Sequence, residues 1–258
     1  MRMRFKPYAR PELRASPLHA HTPAENTGRW HQVFARPEQP LHLELGCGKG
    51  GYLAQLSSSH REINYLGIDI TDKVLILAKR KIEAAFAEKD LPADNVQIMS
   101  LDIERLGTAF DPEDTVERIY INFCNPWNRK AAHKKHRLTY TRQLILYRDI
   151  LTDGGEVYFK TDDDGLFMDS LEYFPEAGYE IIWKTFDLHQ DEPDWNIRTE
   201  HEQMFTEQGI PTKALIAVKR PATDEELQKN LAGRLAREKA EAAVRAAQNV
   251  KKPKEPKE

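Results

Sequence analysis

Leu41-His42-Leu43-Glu44-Leu45-Gly46-Cys47-Gly48-Lys49-Gly50-Gly51 joins an alternating apolar run to a turn dominated by glycine. The three leucines recur at the two-residue period of a buried strand. The glycines that follow let the chain turn sharply into a helix with bare backbone facing a ligand. Gly46, Gly48 and Gly51 also satisfy the GxGxxG spacing of dinucleotide-binding folds, so the glycines alone fit two classes of cofactor. Glu44 separates them. A carboxylate two residues before the first glycine opposes a pyrophosphate at a helix N-terminus and favours a cation. S-adenosylmethionine carries a sulfonium and an ammonium and no phosphate, and Glu44, Gly46 and Gly48 are its expected contacts.

Beyond the loop, residues 51–58 are expected as a short helix and Ile63–Ile70 as a second strand ending at Asp69. An acid at that strand end is placed to accept from both hydroxyls of a ribose. Val74, Leu75, Leu77, Ala78, Ile82 and Phe86 stand at helical spacing and predict a helix over 71–89, capped by Thr71. A third strand over Asn95–Leu101 closes on Asp102, whose natural partner is the adenine amino group. Arg118–Phe123 reads as a fourth strand, 140–151 as a helix, Asp153-Gly154-Gly155 as a turn and Glu156–Thr161 as a fifth strand. A helix to about Phe174 and strands over Tyr179–Leu188 and Thr212–Arg220 complete the sheet. Five strands alternating with helices, then a late pair beside strand five, predict an α/β fold. The pattern is that of a Rossmann-like class I S-adenosylmethionine-dependent methyltransferase, a mostly parallel seven-stranded sheet with helices on both faces.

A chain of 258 residues can bury one sizeable core. Residues 1–38 are basic and poorly periodic and are expected as an arm, residues 39–220 as the catalytic domain, and 221–258 as a charged helical tail. The tail opens on a Thr-Asp-Glu-Glu capping box, carries Leu227, Leu231 and Leu235 at four-residue spacing, and is expected to fray before Pro253 and Pro256. From Cys124 to Arg148 there are seven Lys and Arg and no acidic residue. That run starts at a strand's carboxyl end, which favours contact with phosphate over a merely solvated face. Cys47 and Cys124 lack metal-ligand spacing and are not expected to form a disulfide. No stretch has the length of a membrane span and the first residues lack a signal peptide's apolar core, so a cytoplasmic protein is expected.

Several motifs in one order carry a more specific resemblance. They are Met1-Arg-Met-Arg, the Glu44–Gly50 loop, Ile119–Phe123 followed by Asn125-Pro-Trp, the basic His133-Lys-Lys-His-Arg-Leu-Thr139, Phe159-Lys-Thr-Asp162 and Thr199-Glu-His-Glu202. Through them the chain resembles the bacterial tRNA (guanine-N7)-methyltransferase family, which modifies the tRNA variable loop. The resemblance implies tRNA as the partner, with no membrane and no obligate protein partner. It also implies cofactor contact by Glu44, Asp69, Asp102 and Asn125, and substrate contact by Arg129, Asp162, Thr199, Glu200, His201 and Glu202. Two positions depart from the family pattern, which usually has Asp at 125 and Lys at 129. Asn125 keeps the size and an acceptor but loses the charge, and Arg129 replaces a compact ammonium by a planar fork.

The chemistry suits these residue types. Guanine N7 has an in-plane lone pair and no proton, so its methylation needs alignment and negative field, not a general base. Asn125 is expected to align and Asp162 to accept from the guanine N1 and N2 hydrogens. No metal-ligand, Ser/His/Asp or Cys/His constellation is apparent; His133, His136 and His201 are expected as hydrogen-bond or phosphate partners. Two other readings fit: a tRNA-binding protein of this fold that transfers no methyl, suggested by Asn125 and Arg129, or a methyltransferase for another substrate.

Overall fold

The computed structural model describes residues 6–250, so Met1-Arg-Met-Arg, Pro253 and Pro256 lie outside the described residues. The chain runs through α1 (Ala9–Arg14), β1 (Leu41–Leu45), α2 (Gly51–Ser59), β2 (Asn64–Asp69), α3 (Asp72–Glu88), β3 (Val96–Ser100) and β4 (Val116–Asn122). It continues with α4 (Thr141–Tyr147), β5 (Leu151–Thr161), α5 (Asp164–Glu176), β6 (Tyr179–Thr185), α6 (Glu200–Glu207), β7 (Lys213–Lys219) and α7 (Asp224–Val250). The strands form one sheet in the order β3-β2-β1-β4-β5-β7-β6. The first five are parallel, and β7 runs antiparallel to both β5 and β6, which puts the late pair beside strand five as the sequence predicts.

Alternation along the strands builds a core on each face. Ile119 and Ile121 of β4 join Leu43, Leu66, Ile68 and Phe159 under α4 and α5, while Tyr120 joins Tyr65, Val96 and Ile98 under α1, α2 and α3. Both layers are needed because a parallel sheet is apolar on both sides.

Two stretches differ from expectation. The turn expected at Asp153-Gly154-Gly155 lies inside β5 as a bulge: Val116 pairs with Leu151 and Arg118 with Glu156, and Gly154 takes φ +75° between them. The strand therefore starts five residues earlier than Glu156. Residues 6–38, expected as an arm, are packed. Ala9 and Leu13 are buried on α3's side, and Trp30 is 0% exposed in the other core, with its backbone N–H donating to Asp114 Oδ1 at 2.9 Å and its indole N–H to the Ala109 carbonyl. Residues 18–20 pair with β3: Ile98 N–H donates to the Leu18 carbonyl at 2.8 Å, and Ala20 N–H to the Ile98 carbonyl at 3.0 Å.

The basic run is also less free than its composition suggests. Arg137 is buried, donating to the Pro126 carbonyl and pairing with Asp169, and Arg148 is buried against the carbonyls of Ala177, Gly178 and Arg220. Lys134 pairs with Asp169 and Arg142 with Glu104. Arg129, Lys130 and Lys135 are exposed. The tail helix α7 docks through buried Leu227 and through Arg234, which reaches Glu172 and Glu176 at 2.7 Å each. No helix among the described residues is long and apolar enough to cross a membrane.

Candidate functional site

A cavity of about 710 Å³ opens at the carboxyl ends of β1, β2 and β4, where the strand order reverses between β1 and β4. Loops diverge at such a point, which is why open α/β sheets bind ligands there. Glu44, the fourth residue of β1, is 3% exposed. Its Oε1 accepts from Asn122 Nδ2 at 3.2 Å, and its Oε2 is buried with no partner among the described residues. Burial pushes this carboxyl up to about 8, Asn122 and the Lys160 charge pull it down, and Asp69 adds to the rise. A buried acceptor left unmet in a residue that lines a cavity is costly until a donor or cation meets it.

Asp69 ends β2. Its Oδ2 accepts from the Gly48 N–H and its Oδ1 from the Thr71 N–H, each at 3.1 Å, and burial raises its pKa against those two bonds. Each oxygen keeps a further lone pair for a hydroxyl. Asp102, exposed beyond β3, caps the 103–108 turn by accepting from Glu104 N–H at 3.1 Å. Gly50 takes φ +70° and sits so close to α3 that a Cβ there would lie 2.5 Å from Ala78 Cβ. Only glycine lets the loop enter α2 along this path.

The loop after β4 forms one rim. Phe123 and Trp127 both hold left-handed backbone, at φ 50° and 48°, which is rare for large side chains. Between them Asn125 Oδ1 accepts from Trp127 N–H at 3.0 Å, a side-chain turn that fixes the loop. Asn128 Nδ2 donates to Asp163 Oδ2 at 3.0 Å and ties the loop to the end of β5. The opposite rim is the start of α6, where His201 stacks on Phe123 with ring centroids 6.1 Å apart and Glu200 pairs with Lys81 of α3.

Of the residues singled out in the sequence, Glu44, Gly46, Gly48, Asp69, Asp102, Asn125, Thr199, Glu200 and His201 line this one cavity. Arg129 is exposed further along the β4 loop. Asp162 is half-buried and is not among the residues that line the cavity; its charge helps push up the thiol of Cys124, which does line it, and burial, the largest cause, takes that thiol to about 12. Glu202, expected against the base, is 0% exposed and bonded within the protein. Thr199 and Glu202 form a capping box, a reading that the Thr-x-x-Glu spacing permits. Sequence reasoning also passed over Asn122 and Ile70; Ile70 is 64% exposed at the cavity wall beside Asp69, an apolar surface available to a flat ring. Among the described residues, His189, Glu192 and Glu202 bring ligand atoms within 4.8 Å of one another, but Lys160 and Asn196 already donate to Glu202, and Arg198 to Glu192.

A family model described as "Putative methyltransferase" matches residues 38–215. Over 219 residues the chain is 55% identical to the tRNA (guanine-N(7)-)-methyltransferase of Clostridium perfringens strain SM101, covering 85% of this chain and 100% of that protein. The protein of the same name from Acetivibrio thermocellus is 44% identical over 220 residues, with 85% and 100% covered. Among solved structures, that of the 16S rRNA methyltransferase KamB superposes with a TM-score of 0.51 at 13% identity, over 71% of this chain and 89% of that one, a likeness of fold alone.

Proposed function

Because the chain belongs to the tRNA (guanine-N7)-methyltransferase family, we propose that it methylates N7 of a guanine in the tRNA variable loop, with S-adenosylmethionine as the methyl donor. The observation that carries this reading is the unmet oxygen of Glu44 beside Asp69 in one cavity. Two acceptor carboxylates fit a cation bearing a ribose and suit a pyrophosphate poorly. Bound there, the cofactor supplies an electrophilic methyl on a sulfonium.

The chain's own groups then bind and align. Glu44 holds the ammonium, Asp69 the ribose hydroxyls and Asp102 the adenine amino group. Asn125, fixed against Trp127, sets the loop beside the reacting atoms. Asp162 accepts from the guanine N1 and N2 hydrogens, while Thr199, Glu200 and His201 form the wall against which the base rests. Arg129, Lys130 and Lys135 meet tRNA phosphates without reading sequence. No group needs to remove a proton, because N7 carries none; alignment is the main contribution. Incubation with labelled S-adenosylmethionine and bulk tRNA, followed by nucleoside analysis, tests the reading. Label in 7-methylguanosine is the expected result; label in another nucleoside, or none, overturns it.

A further inference from the structure

Lys160 of β5 and Glu202 of α6, with side chains 3% and 0% exposed, meet at 2.7 Å. Taking two charges out of water adds little stability over apolar side chains of equal volume, so the pair calls for a geometric reason. That reason is in what else the two groups hold. The ammonium of Lys160 also donates to Asn196 Oδ1 at 2.7 Å and to the Ile197 carbonyl at 3.0 Å. Glu202 Oε1 accepts from His189 Nε2 at 3.0 Å and Asn196 Nδ2 at 2.7 Å, and Oε2 accepts from the Thr199 amide at 3.3 Å.

All these partners belong to the segment from His189 to Thr199, and the chain between Thr185 and Glu200 has no helix or strand to hold it. One strand residue therefore fixes the irregular segment at two points, Asn196 and Ile197, and the first turn of α6 at a third, Glu202, just where the chain reaches the cavity. Thr199, Glu200 and His201 follow at once and line the wall. The capping box turns Glu202 inward, while Glu200 and His201 are exposed. Each Glu202 oxygen already takes two donors and neither is accessible, which leaves no place for a base.

We propose that Lys160 and Glu202 form a buried latch that positions the Thr199–His201 wall for the incoming guanine, Glu202 being a positioning residue that does not touch the base. The latch rests on the reading that this cavity takes a tRNA guanine. Its test compares the native chain with Lys160→Met, Glu202→Gln and the double variant. Formation of 7-methylguanosine, affinity for S-adenosylmethionine and thermal unfolding are measured on each.

Each single change leaves a buried charge without its counter-charge and lowers the melting temperature; the double change removes both charges and recovers part of that loss. In all three, kcat on tRNA falls by about tenfold or more while the cofactor Kd stays within about threefold, because a displaced wall spoils alignment and not cofactor binding. The losses in kcat are non-additive, the double variant being no worse than either single one, since the two residues act as a unit. Faster hydrogen exchange over 196–201 in the single variants, with β1 to β4 unchanged, detects the loosened wall independently of turnover. Were Glu202 a direct contact of the base, Glu202→Gln would lose turnover and Lys160→Met would keep it, which overturns the latch. Native kcat and KM in the double variant overturn it too, and leave the functional reading standing. A native chain that forms no 7-methylguanosine removes both.

Discussion

Asn122 Nδ2 reaches Glu44 Oε1 at 3.2 Å from the neighbouring strand, and the other oxygen of Glu44 stays buried with no partner among the described residues. With its pKa raised to about 8, this carboxyl is mostly protonated at pH 7 and must ionise to receive a cation. Cofactor binding at pH 7 should therefore release close to one proton, and affinity should strengthen as pH rises toward about 8. Calorimetry in two buffers of different ionisation enthalpy measures this, and Glu44→Gln should abolish the release and weaken binding. Stability follows the same sign: between the ordinary value of 4.5 and about 8 the folded, ligand-free chain holds a proton that the unfolded chain has lost. Stability should fall as pH rises through that window, less steeply in Glu44→Gln. Cofactor binding by the native chain with no proton release would contradict the assignment.

The side-chain carbonyl of Asn125 holds the Trp127 amide. An aspartate can accept the same bond, and methyl transfer to a neutral base moves positive charge along the reaction axis without creating it. A fixed charge near that axis then stabilises both ends alike. Asn125→Asp should change turnover by less than about tenfold, and Asn125→Ala should cost more than that through lost alignment. Steady-state kinetics of the two variants decide; a large gain in Asn125→Asp would mean that the missing charge matters to the barrier.

The Asp162 carbonyl accepts from Lys213 Nζ at 3.0 Å, so its backbone position is fixed independently of its carboxylate. Asp162→Asn turns one acceptor into a donor facing the donors of the base. Turnover should drop by about a hundredfold, on the scale of a misaligned reactive pair, with cofactor affinity unchanged. Full turnover in this variant would move the base pocket elsewhere.

The basic run divides by burial. Changing Arg129, Lys130 and Lys135 together to glutamine should weaken all tRNAs alike and flatten the salt dependence by up to about three counterions. Arg137→Ala should instead lower stability by about 2–3 kcal/mol, because the change removes a buried guanidinium and leaves Asp169 with Lys134 alone. An unchanged salt slope in the triple variant would assign those three side chains to a solvated face.

The strands, the glycine loop and the acids at strand ends were legible because each follows from a short-range pattern: period two, the backbone freedom of glycine, or a charge just past an apolar run. Glu44, Asp69 and Asp102 meet in one cavity since parallel strands end on the same side of a sheet. What could not be read depends on distant partners. Trp30 sits in no periodic segment, and its burial rests on Asp114, 84 residues away. Arg137 looks like its basic neighbours until Asp169 of α5 closes on it. Glu202 and Glu200 are equivalent as letters, and a capping box sends one inside and the other to the rim.

The pairing of residues 18–20 with Ile98 bears on how molecules of this chain meet one another. β3 is the outermost strand of its side of the sheet, and an open strand edge offers its amides and carbonyls to any other strand that arrives. The N-terminal stretch lies along that edge and buries Leu13 and Leu18 beside it. A chain cut at residue 38, where the family match begins, would keep Glu44, Asp69 and Asp102 and lose this guard. Such a chain should self-associate through β3, visible as oligomers in light scattering, while the uncut chain stays unassociated through that edge.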